Sequence, residues 1–280
     1  MNNFLRIFGF GYTAKYLAKI LPDNFKVDGS NTGTNENGFV FNPPTEVENL
    51  DFSEVTHILI TIPPDQDGDL VYEYYNKQIM NEAKKLKWIG YISTTGVYGD
   101  YQGNWVDETS ELRANDVLSL NRIKAENQWL EFGKHNANLS INIFRVAGIY
   151  GPNRSIVEKV INDNYKIIKK EGQYFSRIHV EDIANIILKT MANYKTEIYN
   201  LADDLPTSPE EPYLYLIQKL NKTTPEIYNF NEIALNDMLK HFFNSSKKVN
   251  NNKIKEILNI KLKYPSYQHG FDEILKLYQK

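Results

Sequence analysis

The chain has 280 residues, 41% of them hydrophobic and 24% charged, and its 32 Lys and Arg against 35 Asp and Glu leave a formal charge of −3. That size suits one large α/β unit with a smaller appendage, and that balance offers no charged field for nucleic acid or an anionic membrane. Cysteine is absent, which excludes disulfides, thiolate catalysis and Cys-ligated zinc; with no signal-peptide pattern and no apolar run of membrane-spanning length, a cytoplasmic protein is expected.

The first predicted strand, Leu5 to Phe8, runs directly into Gly9-Phe10-Gly11-Tyr12-Thr13-Ala14, and a predicted helix follows over Thr13 to Leu21. In a G-x-G-x-x-A pattern the first glycine permits a tight strand-to-helix turn. The second lets a pyrophosphate approach the backbone, and the alanine allows close helix-to-strand packing. The helix N-terminus then offers unpaired N–H groups and a positive dipole end to the phosphate charge. Strand, turn and helix in this order point to dinucleotide binding.

A second strand begins at Phe25-Lys26-Val27 and is followed by Asp28-Gly29-Ser30-Asn31-Thr32. Counted from the glycines, Asp28 lies near the place of a ribose-binding carboxylate. If the strand continues past it, the hydroxyl and amide of Ser30 and Asn31 face the ribose 2′ position instead, and NADP is expected, with NAD the alternative; Asp28 is then a solvated strand residue.

Further strands are predicted at Phe39-Val40-Phe41, His57 to Thr61, Trp88 to Ile92 and Ile141 to Phe144, with helices over Val71 to Leu86 and about Asp116 to Phe132. Asn42-Pro43-Pro44 makes the helix before the fourth strand short or missing. The alternation reads as βαβ units in a Rossmann-type, doubly wound parallel sheet. Beyond Tyr150-Gly151-Pro152 the pattern loosens into a helix over Ser155 to Ile161, the strand Ile178-His179-Val180, a helix that Asp182-Ile183-Ala184 helps begin, and the strand Glu197 to Leu201. Helices near Glu210 to Leu220, Ile233 to Phe243, Asn252 to Leu258 and Gly270 to Tyr278 complete the chain. The expected domains are a dinucleotide-binding domain over 1–150, to which 176–204 returns, and a small, mostly α substrate-side subdomain over 151–175 and 205–280.

The segment Tyr91-Ile92-Ser93-Thr94-Thr95-Gly96-Val97-Tyr98-Gly99-Asp100, then Trp105-Val106-Asp107-Glu108, resembles the active-site region of extended short-chain dehydrogenases, the family of sugar-nucleotide epimerases and dehydratases. Phe144-Arg145-Val146-Ala147-Gly148-Ile149-Tyr150-Gly151-Pro152, Ile178-His179-Val180-Glu181-Asp182-Ile183-Ala184 and Tyr199-Asn200-Leu201-Ala202 continue the likeness in collinear order. Ser176-Arg177-Ile178 and the late Lys263-Tyr264-Pro265 resemble an atypical bacterial subgroup.

By this resemblance Thr94 takes the place of the Ser/Thr that hydrogen-bonds the substrate; read locally, it is a strand-end hydroxyl capping a neighbouring backbone group. Aligning Ala125-Glu126 with the family's Ala-Glu puts Leu118 and Arg122 where the family carries the Tyr and Lys of Tyr-x-x-x-Lys. Sliding the register does not restore the pair, because Lys124 would then need a Tyr where Leu120 stands. Leu118 cannot relay a proton, and guanidinium groups are poor acids and bases near neutral pH. Arg122 is left to bind the nicotinamide ribose, and Tyr98 becomes a substrate-contacting wall or a substitute proton donor.

The expected cofactor contacts are therefore Gly9, Phe10, Gly11, Tyr12, Thr13, Ala14, Ser30, Asn31, Thr61, Ile62, Pro63, Ser93, Arg122, Ala147 and Ile149. Thr95, Tyr98, Arg154 and Arg177 are the expected substrate contacts; for the two arginines, solvated surface positions are the alternative. His179 reads as a packed structural residue and Asp182 as a helix-terminus carboxylate. The five His residues show no ligand spacing with carboxylates, so no metal is expected. The partners expected are a small-molecule substrate and, as one option, a second copy in a homodimer, with neither nucleic acid nor membrane. Two functions follow: an NAD(P)-dependent oxidoreductase or epimerase/dehydratase-like enzyme acting on a small polar substrate such as a sugar nucleotide, or a non-catalytic NAD(P) sensor similar to NmrA-like regulators.

Overall fold

Apolar β-branched and aromatic runs between amphipathic segments can bury both their faces only in a sheet covered on each side. The computed structural model describes residues 3–33, 38–234, 240 and 242–278 and contains such a sheet. In chain order the elements are β1 (Asn3–Phe8), α1 (Tyr12–Ile20), β2 (Phe25–Asn31), β3 (Gly38–Asn42), β4 (Glu46–Val47), β5 (His57–Ile60), α2 (Leu70–Glu82), β6 (Trp88–Thr94), β7 (Trp105–Val106), α3 (Val117–Lys134), β8 (Ser140–Val146) and β9 (Gly148–Tyr150). There follow α4 (Val157–Ile161), β10 (Ile167–Lys169), β11 (Arg177–His179), α5 (Val180–Thr190), β12 (Glu197–Leu201), α6 (Glu211–Lys219), β13 (Ile227–Asn229), β14 (Lys248–Val249), α7 (Asn252–Leu258) and α8 (Tyr267–Lys276).

The eight-stranded sheet has the order β12-β8-β6-β5-β1-β2-β3-β4. Strands β2, β1, β5 and β6 pair in parallel, and the short β4 runs antiparallel to β3 in place of a helix. The order reverses direction between β1 and β5, the topological switch point where doubly wound sheets bind their ligands. Every residue of β5 and of β8 is buried, including the polar His57, Ser140, Asn142 and Arg145 among the apolar ones. One face carries Phe4, Phe8, Phe39, Phe41, Ile58 and Ile60 against Val71, Tyr75 and Ile79 of α2 and Ala125, Trp129 and Phe132 of α3.

Helix starts follow from their caps. Asp69 accepts a hydrogen bond from the Tyr72 N–H at 2.9 Å, and Asp116 accepts one from the Ser119 N–H at 2.9 Å. Helix α2 ends at Glu82 rather than Leu86, because the chain turns there and Leu86 returns its N–H to the Ala83 carbonyl. The helix expected over 233–243 falls largely outside the described residues.

The chain divides into two compact units, one of 1–97, 115–145 and 183–199, the other of 98–114, 146–182 and 200–280. Packing thus groups 98–114, 146–150, 176–182 and 200–204, which the sequence placed with the dinucleotide domain, with the second unit. That unit contains the two-stranded parallel pairs β9/β11, β10/β13 and β7/β14. Its core joins Val157 and Val160 of α4, Leu216 and Ile217 of α6 and Phe271 and Ile274 of α8.

His57 is fully buried in the first unit, with Nδ1 2.8 Å from Thr56 Oγ1. Burial pushes its imidazole down to about 4 from the usual 6.5. Between those values the unfolded chain binds more protons than the fold. His57 therefore contributes its full stability above pH 6.5, and as pH falls toward 4 the fold loses about 3 kcal/mol. Urea unfolding across this range should show the decline, and His57→Asn should remove most of it.

Candidate active site

The turn after β1 is held from two sides. Gly9 sits at φ +94, and a Cβ there would lie 2.5 Å from Thr61 Oγ1 and 2.8 Å from Ile62 Cγ2. Across the switch point, Thr61 donates its hydroxyl to the Gly9 carbonyl at 2.6 Å. From β2, Ser30 accepts the Gly9 N–H on its hydroxyl at 2.8 Å and the Phe10 N–H on its carbonyl at 3.0 Å. The Phe10 ring covers Gly29, where a Cβ would come within 2.3 Å of the ring. Gly11 caps α1 with no side-chain hydrogen bond, no acid lies in the first turn, and a Cβ on Gly11 would meet nothing within 4 Å. Thr13 and Ala14 are buried beneath. The turn is rigid, with an uncovered helix start, which is the arrangement that accepts a diphosphate.

Strand β2 does continue past Asp28 to Asn31. Asp28 is not solvated: its carboxylate accepts from Arg6 Nε at 3.1 Å and Nη2 at 2.7 Å, while Phe4, Phe39 and Phe52 surround the guanidinium at 5.2–5.3 Å. Asn31 ends the strand. Ser30, expected to offer its hydroxyl to a ribose, is buried and engaged with Gly9, so it supports the turn; Thr61 has the same part from β5.

At the ends of β5 and β6, Arg122 of α3 donates from Nη1 to the Ile92 carbonyl at 2.7 Å, the Tyr91 hydroxyl at 3.1 Å and the Ile62 carbonyl at 3.3 Å. Thr94 ends β6, half-buried, and its hydroxyl accepts the Gly96 N–H at 3.0 Å. Thr95 begins the 3-10 turn that follows, and Gly96 packs on Ser119 of α3. Leu118, on the first turn of α3, is 69% exposed. Pro63 is exposed beside Ile62. These residues, with Gly9 to Ala14, lie together at one end of the sheet in the first unit.

Two expected contacts are placed elsewhere. Ser93 is buried and donates to Glu126 Oε1 at 2.5 Å, and Glu126 in turn accepts from Arg145 Nη2 at 2.7 Å and Nε at 3.2 Å. Tyr98 is fully buried and its hydroxyl donates to Asn200 Oδ1 at 2.6 Å. It is part of the packing of the second unit.

In the second unit, Ala147 donates its N–H to the Leu201 carbonyl, and Ile149 lies in β9 opposite Ile178. Arg154 is exposed in the tight turn closed by Gly151. Arg177 donates from Nη1 to Thr207 Oγ1 at 2.7 Å and to the Phe175 carbonyl at 3.2 Å. His179 is buried against Tyr150 and Tyr264, and Asp182, besides standing in the first turn of α5, accepts the N–H groups of Lys263 and Tyr264. Among the described residues no group of three His, Asp or Glu could hold a metal ion, and no helix is long and apolar enough to cross a membrane.

Glu126 and Arg145 escape a search for catalytic types, because a lone carboxylate on a helix reads as solvated. Their signal is spacing: Glu126 lies one helical turn beyond Arg122, on the same face of α3. Glu126→Gln removes the buried carboxylate shared by Ser93 and Arg145 and should destabilise by about 3–5 kcal/mol in urea unfolding, far more than an exposed Glu→Gln change.

A model of the NAD dependent epimerase/dehydratase family matches residues 75–202. A conserved protein of Silicibacter pomeroyi, functionally unknown, is 36% identical over 98% of both chains, with a TM-score of 0.89. A human epimerase family protein solved with NADPH is 12% identical, with a TM-score of 0.77 and coverage of 98% of this chain and 99% of that one. UDP-glucuronic acid 4-epimerase of Bacillus cereus, solved with NAD, is 15% identical, with a TM-score of 0.73 and coverage of 99% and 100%. At those identities the last two share the fold. Among curated proteins, none matches the chain in sequence. The sheet order, the glycine turn at its switch point and these matches agree: residues 75–202 match the NAD dependent epimerase/dehydratase family on a Rossmann-type fold, and over 98% of its length the chain is a relative of the Silicibacter protein.

Proposed function

We propose that the first unit binds a nicotinamide dinucleotide and that the protein is an NAD(P)-dependent oxidoreductase or epimerase/dehydratase-like enzyme acting on a small polar substrate. The observation that carries this reading is the turn Gly9 to Ala14, braced by Ser30 and Thr61, with an uncovered Gly11 at the start of α1. Bound there, the dinucleotide would supply hydride transfer; the protein's part is to hold and orient. The α1 N–H groups and Gly11 would receive the diphosphate. Arg122, fastened to the ends of β5 and β6, would stand by the nicotinamide ribose, and the Thr94 hydroxyl would orient a substrate hydroxyl or carbonyl. Asp28 is occupied by Arg6, so the neutral end of β2 at Asn31 supports NADP over NAD.

Leu118 and Arg122 stand, in this reading, where relatives carry Tyr and Lys. With Tyr98 buried, neither supplies a proton, and any proton transfer falls to the substrate, water or Thr94. The exposed Leu118 also favours a second reading, a sensor that binds the dinucleotide without consuming it.

Gly11→Ala should weaken NADPH binding at least tenfold in fluorescence titration with little change in Tm, whereas Gly9→Ala should lower Tm as well, because its Cβ has no room. If Gly11→Ala binds NADPH as the wild type does, the diphosphate is not on α1. Turnover of a panel of sugar nucleotides followed at the nicotinamide absorbance, lost in Thr94→Ala with binding retained, supports the enzyme; binding without turnover, unaffected by Thr94→Ala, supports the sensor.

A further inference from the structure

Three unsatisfied polar groups lie together in the second unit, in a place the mechanism above does not use. The Arg177 guanidinium spends only Nη1 on protein atoms, and among the described residues its Nε and Nη2 make no hydrogen bond. Asp203, just past β12, is 1% exposed; Oδ1 accepts the Leu205 N–H at 3.2 Å, and Oδ2 is buried with no partner. Its own N–H donates to the Arg177 carbonyl at 2.6 Å, which brings the two chain segments together. Tyr213 of α6, half-buried and stacked on Tyr165, lies within electrostatic reach of Arg177, and its hydroxyl makes no hydrogen bond among the described residues.

A guanidinium and a carboxylate within electrostatic reach of each other ordinarily form an ion pair. Here they do not: neither takes part in one among the described residues. Burial instead pushes Asp203 up to about 8, so it is a carboxylic acid near neutral pH. The groups around it are Arg177 on β11, Asp182 at the start of α5, Asp204 beside it, Tyr150 on β9 and Tyr267 on α8. Tyr264 faces Tyr150, and Glu211 faces Tyr267. Burial raises all four phenols, Tyr150, Tyr213, Tyr264 and Tyr267, so they stay protonated through neutral and mildly basic pH.

We infer that Arg177, Asp203 and Tyr213 form an oxyanion-binding site whose occupancy requires a proton on Asp203. The fork of Nε and Nη2 matches two oxygens of a carboxylate or phosphate, and the Asp203 acid and the Tyr213 hydroxyl add neutral donors. Ionised, Asp203 would cancel the arginine charge and repel the ligand; protonated, it donates to it. The inference deepens the proposed function by giving the substrate an anionic group, and it rests on that reading only in calling the anion part of a substrate.

The test uses the full chain, with and without saturating NADPH, and sulfate and acetate as probes, because neither changes protonation over the range used. Calorimetric titration at constant ionic strength should show binding that persists with NADPH present, which separates this site from the glycine turn. Affinity should fall about tenfold between about pH 7 and pH 9. Asp203→Asn, which keeps a donor but cannot ionise, should bind at pH 9 as at pH 7, and Arg177→Gln should abolish binding. Stronger binding of sulfate or of acetate tells whether a phosphate or a carboxylate is the natural group. Wild type that binds neither probe at pH 7, or an unchanged pH slope in Asp203→Asn, overturns the inference. If Arg177→Gln does not fold, the slope in Asp203→Asn decides alone. Sulfate binding without NADPH binding would sink the dinucleotide reading and leave this site standing; the reverse would do the opposite.

Discussion

The fold and the site both depend on one seam, where β1 and β5 leave the sheet side by side. There the chain must turn sharply into α1 while the next strand passes within hydrogen-bond distance. Gly9 is the residue that meets both conditions: its φ of +94 disfavours a side chain, and the Thr61 hydroxyl occupies the space a Cβ would need. Ser30 closes the turn from the other side. Because all three strands fix the same few backbone atoms, the start of α1 is aimed before any ligand arrives. Such preorganisation lowers the ordering cost of binding.

A second constraint sets the position of α3. Arg122 and Glu126 project from one face of the helix, the first onto carbonyls at the ends of β5 and β6, the second onto Ser93 and Arg145 in the sheet interior. Displacing either partner from this buried carboxylate would break a buried ionic hydrogen bond. The helix is thereby locked in rotation.

Much of this was legible from the residues. The glycine turn announces itself by order, strand before and helix after; the apolar residues Ile58 to Ile60 of β5 and Ile141, Ile143 and Phe144 of β8 reflect burial; and Asn42-Pro43-Pro44 correctly removed a helix, β4 taking its place. What was hidden depends on contacts across the chain. Ser30 and Asn31 looked alike as small polar residues at a strand end, but alternation along β2 decides which is buried against Gly9. Tyr98 followed a family motif, yet its hydroxyl is claimed by Asn200, 102 positions away. Asp203 sits in a polar stretch that reads as an ordinary surface loop, and only its burial beside Arg177 marks it.

In the proposed dinucleotide reading, the Arg6 and Asp28 pair ties coenzyme choice to the integrity of the sheet. Arg6 is buried among three aromatic rings, with Asp28 supplying its counter-charge from the neighbouring strand. Neutralising position 28 strands a guanidinium in the core, and freeing the carboxylate toward a ribose does the same. Drift in nucleotide preference at this strand therefore cannot proceed by single steps through residue 28. A descendant protein would have to replace Arg6 and Asp28 together, or acquire its selectivity further along the chain, where the strand ends and side chains are unencumbered by the core.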